Sequence, residues 1–151
     1  EKQREELYKL IMENALDVAV TIISPDEIDE INILEASRKA METSINSLKC
    51  EVNFVLTDAV KLYKSKYPHD AIIKGDAKAQ CIAAASIVAK VTRDHICYEL
   101  DEQYPQYNIK NNKGYGTKDH LEALEKYGPI KGLHRFSYKP VKESLTIKLD
   151  L

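Results

Sequence analysis

Nine consecutive residues, Cys81-Ile82-Ala83-Ala84-Ala85-Ser86-Ile87-Val88-Ala89, constrain this chain more than any other stretch. Wound at 3.6 residues per turn, the run leaves no helix face that is clearly polar. A helix that is apolar on every side is expected to be nearly surrounded by other elements. The helical pattern runs from Ala77 to about Glu102, and small side chains dominate its first half. Cys81 and Cys97 are expected to pack on it as small apolar groups.

Short β-prone runs alternate with helical patterns around this segment. Residues 2–15 place Leu7, Leu10, Ile11 and Ala15 at helical spacing. Residues 17–23 (DVAVTII) have the β-branched density of a strand and stop at Ser24-Pro25. Ser24, Pro25 and Glu27 form a helix-start signature. A long helix with one apolar stripe is expected over 28–48. Residues 52–56 and 71–73 read as strands, each followed by an aspartate, Asp58 and Asp76. A polar, glycine-rich loop is expected over 105–116. A helix capped by Thr117 follows, ending at Gly128-Pro129. Residues 130–141 read as irregular, and the last ten as a short strand or helix. Strands alternating with helices indicate an α/β layered fold.

Composition narrows the class. With 44% apolar and 30% charged residues, the 151-residue chain belongs among globular rather than disordered sequences. No run of 18 apolar residues offers a membrane span. Three cysteines without short paired spacing argue for free thiols in a reducing cytoplasm, against a disulfide framework or a zinc site. The net charge of −2 conceals an asymmetry. Residues 1–57 carry six basic and twelve acidic side chains, whereas 105–151 carry nine and five. A basic tail on an acidic chain suits contact with a polyanion, although a solvated lysine-rich face accounts for the charge equally simply.

Asp58 and Asp76 are the strongest chemical signal. If their strands are neighbours, two carboxylates meet at one sheet edge, where ligands bind in open α/β sheets. Two hard oxygen donors suit Mg²⁺ or Mn²⁺. The plain alternative is that each aspartate merely ends a strand or caps a helix. Lys74-Gly75-Asp76-Ala77-Lys78 sharpens the functional reading. Glycine permits a tight turn and close backbone approach, and the flanking lysines can neutralise the carboxylate or contact phosphate. A second signal is Lys113-Gly114-Tyr115-Gly116-Thr117, where the glycines leave Tyr115 little packing support. An aromatic held on such a turn beside lysines can stack on a sugar or base. Its plain alternative is a turn leading into a helix.

With these motifs in order, the chain resembles ribonuclease HII, the bacterial type 2 ribonuclease H. The resemblance rests on Ile28-Asp29-Glu30-Ile31-Asn32-Ile33, Asp58-Ala59 and Lys74-Gly75-Asp76-Ala77-Lys78. It continues through Ala83 to Asp94, ending in Lys90-Val91-Thr92-Arg93-Asp94, and through Lys113-Gly114-Tyr115-Gly116-Thr117. Tyr127-Gly128-Pro129 and His134-Arg135-Phe136-Ser137-Tyr138 complete it. It implies a ribonuclease H-like three-layer α/β fold, here an incomplete mixed sheet flanked by helices, with a helical C-terminal extension. Residues 1–103 correspond to a partial catalytic domain and 104–151 to a substrate-binding extension.

The resemblance also implies chemistry: cleavage of the RNA strand of RNA–DNA hybrids, and of single ribonucleotides embedded in duplex DNA, on the 5′ side of the ribonucleotide. Four carboxylates hold two divalent ions, Mg²⁺ or Mn²⁺. Asp58 and Asp76 match two of the four as metal ligands and catalytic residues, and Tyr115 matches the tyrosine that stacks on the junction sugar. Gly114, Lys113, Thr117, Lys74 and Arg135 are expected substrate contacts, with Lys118 a further phosphate contact. Asp94 reads as structural or as a phosphate-side helper, and His134 lies outside the site.

The other two ligands of that family form an Asp-Glu pair in a first-strand Asp-Glu-Val-Gly-Arg-Gly motif, which no segment of this sequence matches. The chain therefore reads as a ribonuclease HII without its leading hairpin. The implied strand order puts the absent strands between 17–23 and 52–56, leaving unpaired edges. Three outcomes are expected: pairing with the missing N-terminal segment, self-association, or closing-up of the remaining strands. Activity of the chain alone is expected to be weak or nil. The competing reading is a non-catalytic nucleic-acid-binding module or a structural fragment of that enzyme.

Overall fold

The computed structural model describes residues 1–147. Residues 148–151, the end of the segment read as a short strand or helix, lie outside the described part. The described chain divides into two compact units, one of residues 1–22 and 34–92, the other of 23–33 and 93–147.

In the first unit, α1 (Lys2–Asn14) and α3 (Ile33–Ser47) follow the expected helical spacing. Arg38 on α3 is buried with its charge partnered. Its Nε donates to the Lys61 carbonyl at 2.8 Å, its guanidinium pairs with Glu35, and it lies 4.1 Å from the Tyr63 ring centroid. β1 (Val55–Asp58) and β2 (His69–Ile72) run parallel in a two-stranded sheet, with Asp58 opposite Ile72. The first strand starts three residues later than the apolar run 52–56. The second starts two residues before 71–73. Backbone pairing sets these limits: Val55 N–H donates to the Pro68 carbonyl and Ala59 N–H to that of Ile72, both at 3.0 Å.

The strand expected over 17–23 does not form. β-branched residues favour an extended backbone, but a ladder needs a neighbour, and no described strand pairs with this segment. Local bonds hold it instead. The Asp17 carboxylate accepts from the N–H groups of Val18, Lys49 and Cys50. Ser44 Oγ donates to Thr21 Oγ1 at 2.9 Å. The sheet is thus incomplete, as expected, and among the described residues it is one parallel pair rather than a mixed sheet.

The long helix α4 (Gln80–Gln103) follows a 3-10 turn at Gly75–Ala77. Its apolar run is not surrounded: Ile82 and Val88 are buried, whereas Cys81, Ala85 and Ala89 are exposed. Small side chains lose little by facing water, so the sequence tolerates a face that the described elements leave uncovered. Cys97 is buried as expected, and burial raises its thiol pKa.

The second unit contains α2 (Pro25–Ile31), started as expected by Ser24, whose Oγ accepts from Glu27 N–H at 3.2 Å. The single helix expected over 28–48 is broken at Asn32, whose φ of 68° and ψ of 164° form an extended, positive-φ conformation outside the helical regions. Asp29 then accepts from Phe136 N–H and Ser137 Oγ. Burial opposes its charge, but these bonds prevail and hold its carboxyl below the usual range. The polar loop expected over 105–116 carries a 3-10 turn, Pro105–Tyr107, and α5 (Ile109–Asn112). Tyr107, Ile109 and Asn112 are buried there. Tyr107 and Ile109 join Cys97, Ala123, Leu124 and Val141 in one core cluster, closed by α6 (Lys118–Tyr127) and α7 (Lys139–Ile147). No described helix is long and apolar enough to cross a membrane.

Candidate functional site

Asp58 ends β1 as expected, whereas Asp76 lies four residues beyond the end of β2, in the 3-10 turn Gly75–Ala77, and that turn packs back against the end of β1. Asp58 is the last residue of β1, and its Oδ1 accepts from Gly75 N–H at 2.8 Å. Asp76 follows Gly75 in the chain, so one hydrogen bond ties the Asp58 carboxylate to the backbone beside the second carboxylate. Both aspartates are exposed. Gly75 is buried and permits this approach. A Cβ there lies 3.4 Å from Asp58 Cα and 2.6 Å from Ile82 Cδ1, too close without movement. On the far side of Gly75, Lys74 takes a left-handed conformation, φ 56°, and its carbonyl accepts from Ala77 N–H. Lys78 also flanks Asp76 in the chain.

Two hard oxygen donors on a tight turn fit one divalent ion whose other positions are filled by water or phosphate. They do not by themselves fit a two-ion centre. Among the described residues no three His, Cys, Asp or Glu side chains cluster to hold a metal.

The residues around Tyr115 assemble within the second unit. Tyr115 is 64% exposed, as its glycine neighbours imply. Gly114 has φ +75°, which disfavours any side chain there. The turn is pinned from both sides. Tyr115 N–H donates to the Asn112 carbonyl and Gly114 N–H to Asn112 Oδ1, both at 2.8 Å. Buried Asn112 is itself fixed by donating Nδ2 to the Tyr107 carbonyl at 2.7 Å. Thr117 caps α6, accepting from His120 N–H at 3.4 Å, and is exposed. Lys113 does not extend freely from the turn: its Nζ lies 3.7 Å from the Tyr98 ring centroid. The Arg135 guanidinium lies 4.8 Å from the Tyr138 ring.

Two groups in this cluster escaped the reading of the sequence. Arg93 sits 5.0 Å from the Tyr115 ring centroid and donates to the Lys113 carbonyl at 2.8 Å, gripping the turn by its aromatic and its backbone together. Its only signal was a place in the Lys-Val-Thr-Arg-Asp run. Buried His120 lies 3.0 Å by Nδ1 from the Tyr115 carbonyl. Spacing alone does not announce either partnership.

The sequence matches the family model described as ribonuclease HII over residues 1–141. It is 47% identical over 147 residues to the ribonuclease HII of Desulfitobacterium hafniense, covering 97% of this chain and 56% of that protein. Against ribonuclease HII of Clostridioides difficile the identity is 49% over 138 residues, 91% of this chain and 54% of the other. Francisella philomiragia ribonuclease HII is 47% identical over 142 residues, 94% and 76% respectively. The chain thus spans about half the length of the first two relatives. In fold it is similar to the crystal structure of ribonuclease H2 from Pyrococcus horikoshii OT3, with a TM-score of 0.83 at 24% identity over 99% of this chain and 78% of the other.

Proposed function

The chain belongs to the ribonuclease HII family, and from that premise we propose that it carries part of a metal-dependent endoribonuclease. Its substrates are the RNA strand of RNA–DNA hybrids and single ribonucleotides embedded in duplex DNA, cut 5′ of the ribonucleotide. Residues 1–103 supply the partial catalytic domain and 104–151 the substrate-binding extension. The observation that supports this reading is the hydrogen bond from Gly75 N–H to Asp58 Oδ1, which holds the Asp58 carboxylate against the backbone of the residue preceding Asp76.

Asp58 and Asp76 would hold divalent metal, Mg²⁺ or Mn²⁺, whose chemistry is to lower the pKa of water and stabilise the leaving 3′ oxygen. Lys74, beside the turn, offers its ammonium to phosphate. Tyr115, exposed on its pinned turn, stacks on the sugar at the RNA–DNA junction, where presence or absence of the 2′-OH distinguishes the nucleotides. Gly114 and Thr117 offer close backbone and hydroxyl approach, Arg135 adds positive charge along the duplex, and Lys113 reaches it only if its ammonium leaves the Tyr98 ring. Free Cys50, Cys81 and Cys97 suit a reducing cytoplasm. With two carboxylates where two ions need more, cleavage by these residues alone is slow. Pairing with a segment bearing the Asp-Glu motif, or self-association, is the reading for the unpaired 17–23 stretch.

The test uses a labelled duplex containing one ribonucleotide. The expected result is binding by the 151-residue chain and slow Mn²⁺-dependent cleavage 5′ of the ribonucleotide, lost in Asp76→Asn while binding persists. Rapid cleavage by the unaltered chain contradicts the two-carboxylate account. Cleavage that survives Asp76→Asn removes that residue from the site, and binding without cleavage, even after addition of a segment bearing the Asp-Glu motif, favours the non-catalytic module.

A further inference from the structure

Two buried histidines in the second unit are linked to the Tyr115 turn by contacts whose end partners dictate where each proton sits. His134 Nδ1 lies 2.9 Å from Ile130 N, a group that can only donate. His134 Nδ1 therefore presents a lone pair, and in the neutral ring the proton sits on Nε2. At the other end, His120 Nδ1 lies 3.0 Å from the Tyr115 carbonyl, which can only accept. His120 therefore carries its proton on Nδ1 and a lone pair on Nε2. The two Nε2 atoms lie 3.3 Å apart, and the assignments from the two ends agree: His134 donates and His120 accepts.

We infer that His120 and His134 form a relay of fixed tautomers that positions the Tyr115 turn from its C-terminal side. The hydrogen bonds run in one direction, from Ile130 N–H through His134 and His120 to the Tyr115 carbonyl. That carbonyl also accepts from Thr117 N–H at 2.8 Å, so the relay meets the turn where it enters α6.

A charged His120 would oppose a second N–H to that of His134, and a charged His134 would oppose an N–H to that of Ile130. Either proton breaks one link, so the relay needs both rings neutral. Its surroundings agree. His120 and His134 are 5% and 6% exposed. The Tyr107 ring packs 5.0 Å from His134 and 6.3 Å from His120, with Tyr127 behind it at 6.1 Å. Burial and the neighbouring ring hold the His134 pKa down at about 4.

His120 and His134 are thus positioning residues, and their consequence for substrate rests on the reading of Tyr115 as the junction contact. The relay can be tested without substrate. In the full 151-residue chain with ¹⁵N-labelled histidine, proton–nitrogen correlation at pH 7 should show His134 protonated on Nε2 only and His120 on Nδ1 only. The reverse tautomers, or a charged ring at pH 7, overturn the proposal.

Substitution tests the positioning. His120→Leu should speed exchange of the Thr117 amide proton about fivefold to tenfold, the loss of roughly one hydrogen bond's worth of order. His120→Asn, which can return a donor near the Nδ1 position, should restore much of the protection. Equal exchange in His120→Leu and the unaltered chain refutes positioning, and so does failure of both variants alike. In duplex binding, His120→Leu should reduce the preference for one embedded ribonucleotide over all-DNA duplex, with His120→Asn recovering it. If the unaltered chain shows no such preference, the reading of Tyr115 fails, while tautomers and exchange still decide the relay.

Discussion

Lowering the pH from 7 to 5 should destabilise this protein chiefly through one side chain, His134. Burial, and then the neighbouring His120, disfavour its charged form and depress its pKa from 6.5 to about 4. Between those values the unfolded chain binds the proton and the folded chain does not. Stability is therefore fully present above about pH 6.5, falls as pH falls, and is lost by about pH 4. The whole window represents about 3 kcal/mol, of which about 2 kcal/mol falls between pH 7 and 5. That is a large share of the roughly 5–15 kcal/mol that keeps a domain folded.

Urea unfolding followed by circular dichroism at pH 7, 6 and 5 measures it. The control is His134→Asn, which cannot take up the proton but can still accept from Ile130 N–H. Asp17 and Asp29 also have lowered pKa values, Asp17 chiefly through the Lys49 N–H. Their stabilisation is present above the usual carboxylate range and is lost as pH falls through the lowered values, below the histidine window. The unaltered chain should lose about 2 kcal/mol more than His134→Asn between pH 7 and 5. Identical pH dependence in the two refutes the buried neutral histidine.

Other perturbations follow from the same packing. Gly75→Ala forces its methyl against buried Ile82 and towards the Asp58 backbone, and should cost about 1–3 kcal/mol in urea unfolding. An unchanged midpoint contradicts the close approach. Tyr107→Phe removes the hydroxyl that donates to the Gly128 carbonyl at 2.5 Å in the core. It should cost about 1–3 kcal/mol at constant denaturant slope, whereas a neutral result contradicts burial of that bond.

Helix punctuation was the most legible part of the fold. Ser24, Pro25 and Glu27, Thr117, and Gly128 each act where local chemistry places them, because a cap is decided within three or four residues. Strand-end placement of Asp58 was legible from its short apolar run. Residues 17–23 misled because propensity describes one segment, whereas a strand requires two. Asn32 was hidden because apolar spacing continues across it from Ile31 to Leu34, while the chain turns at a single positive-φ residue. In the second unit, Arg93 on Tyr115 and His120 on His134 are partners 22 and 14 residues apart. Periodicity assigns faces, not partners, and so the support around the Tyr115 turn emerged only from the structure.

The role given to Asp58 and Asp76 is tested most directly by Mn²⁺ titration of the 151-residue chain, followed by electron paramagnetic resonance of the free ion. Binding should weaken about tenfold or more in both Asp58→Asn and Asp76→Asn. Asp70→Asn, elsewhere on the sheet, should leave it unchanged. Equal Mn²⁺ uptake by the unaltered chain and both strand-end variants would contradict the assignment.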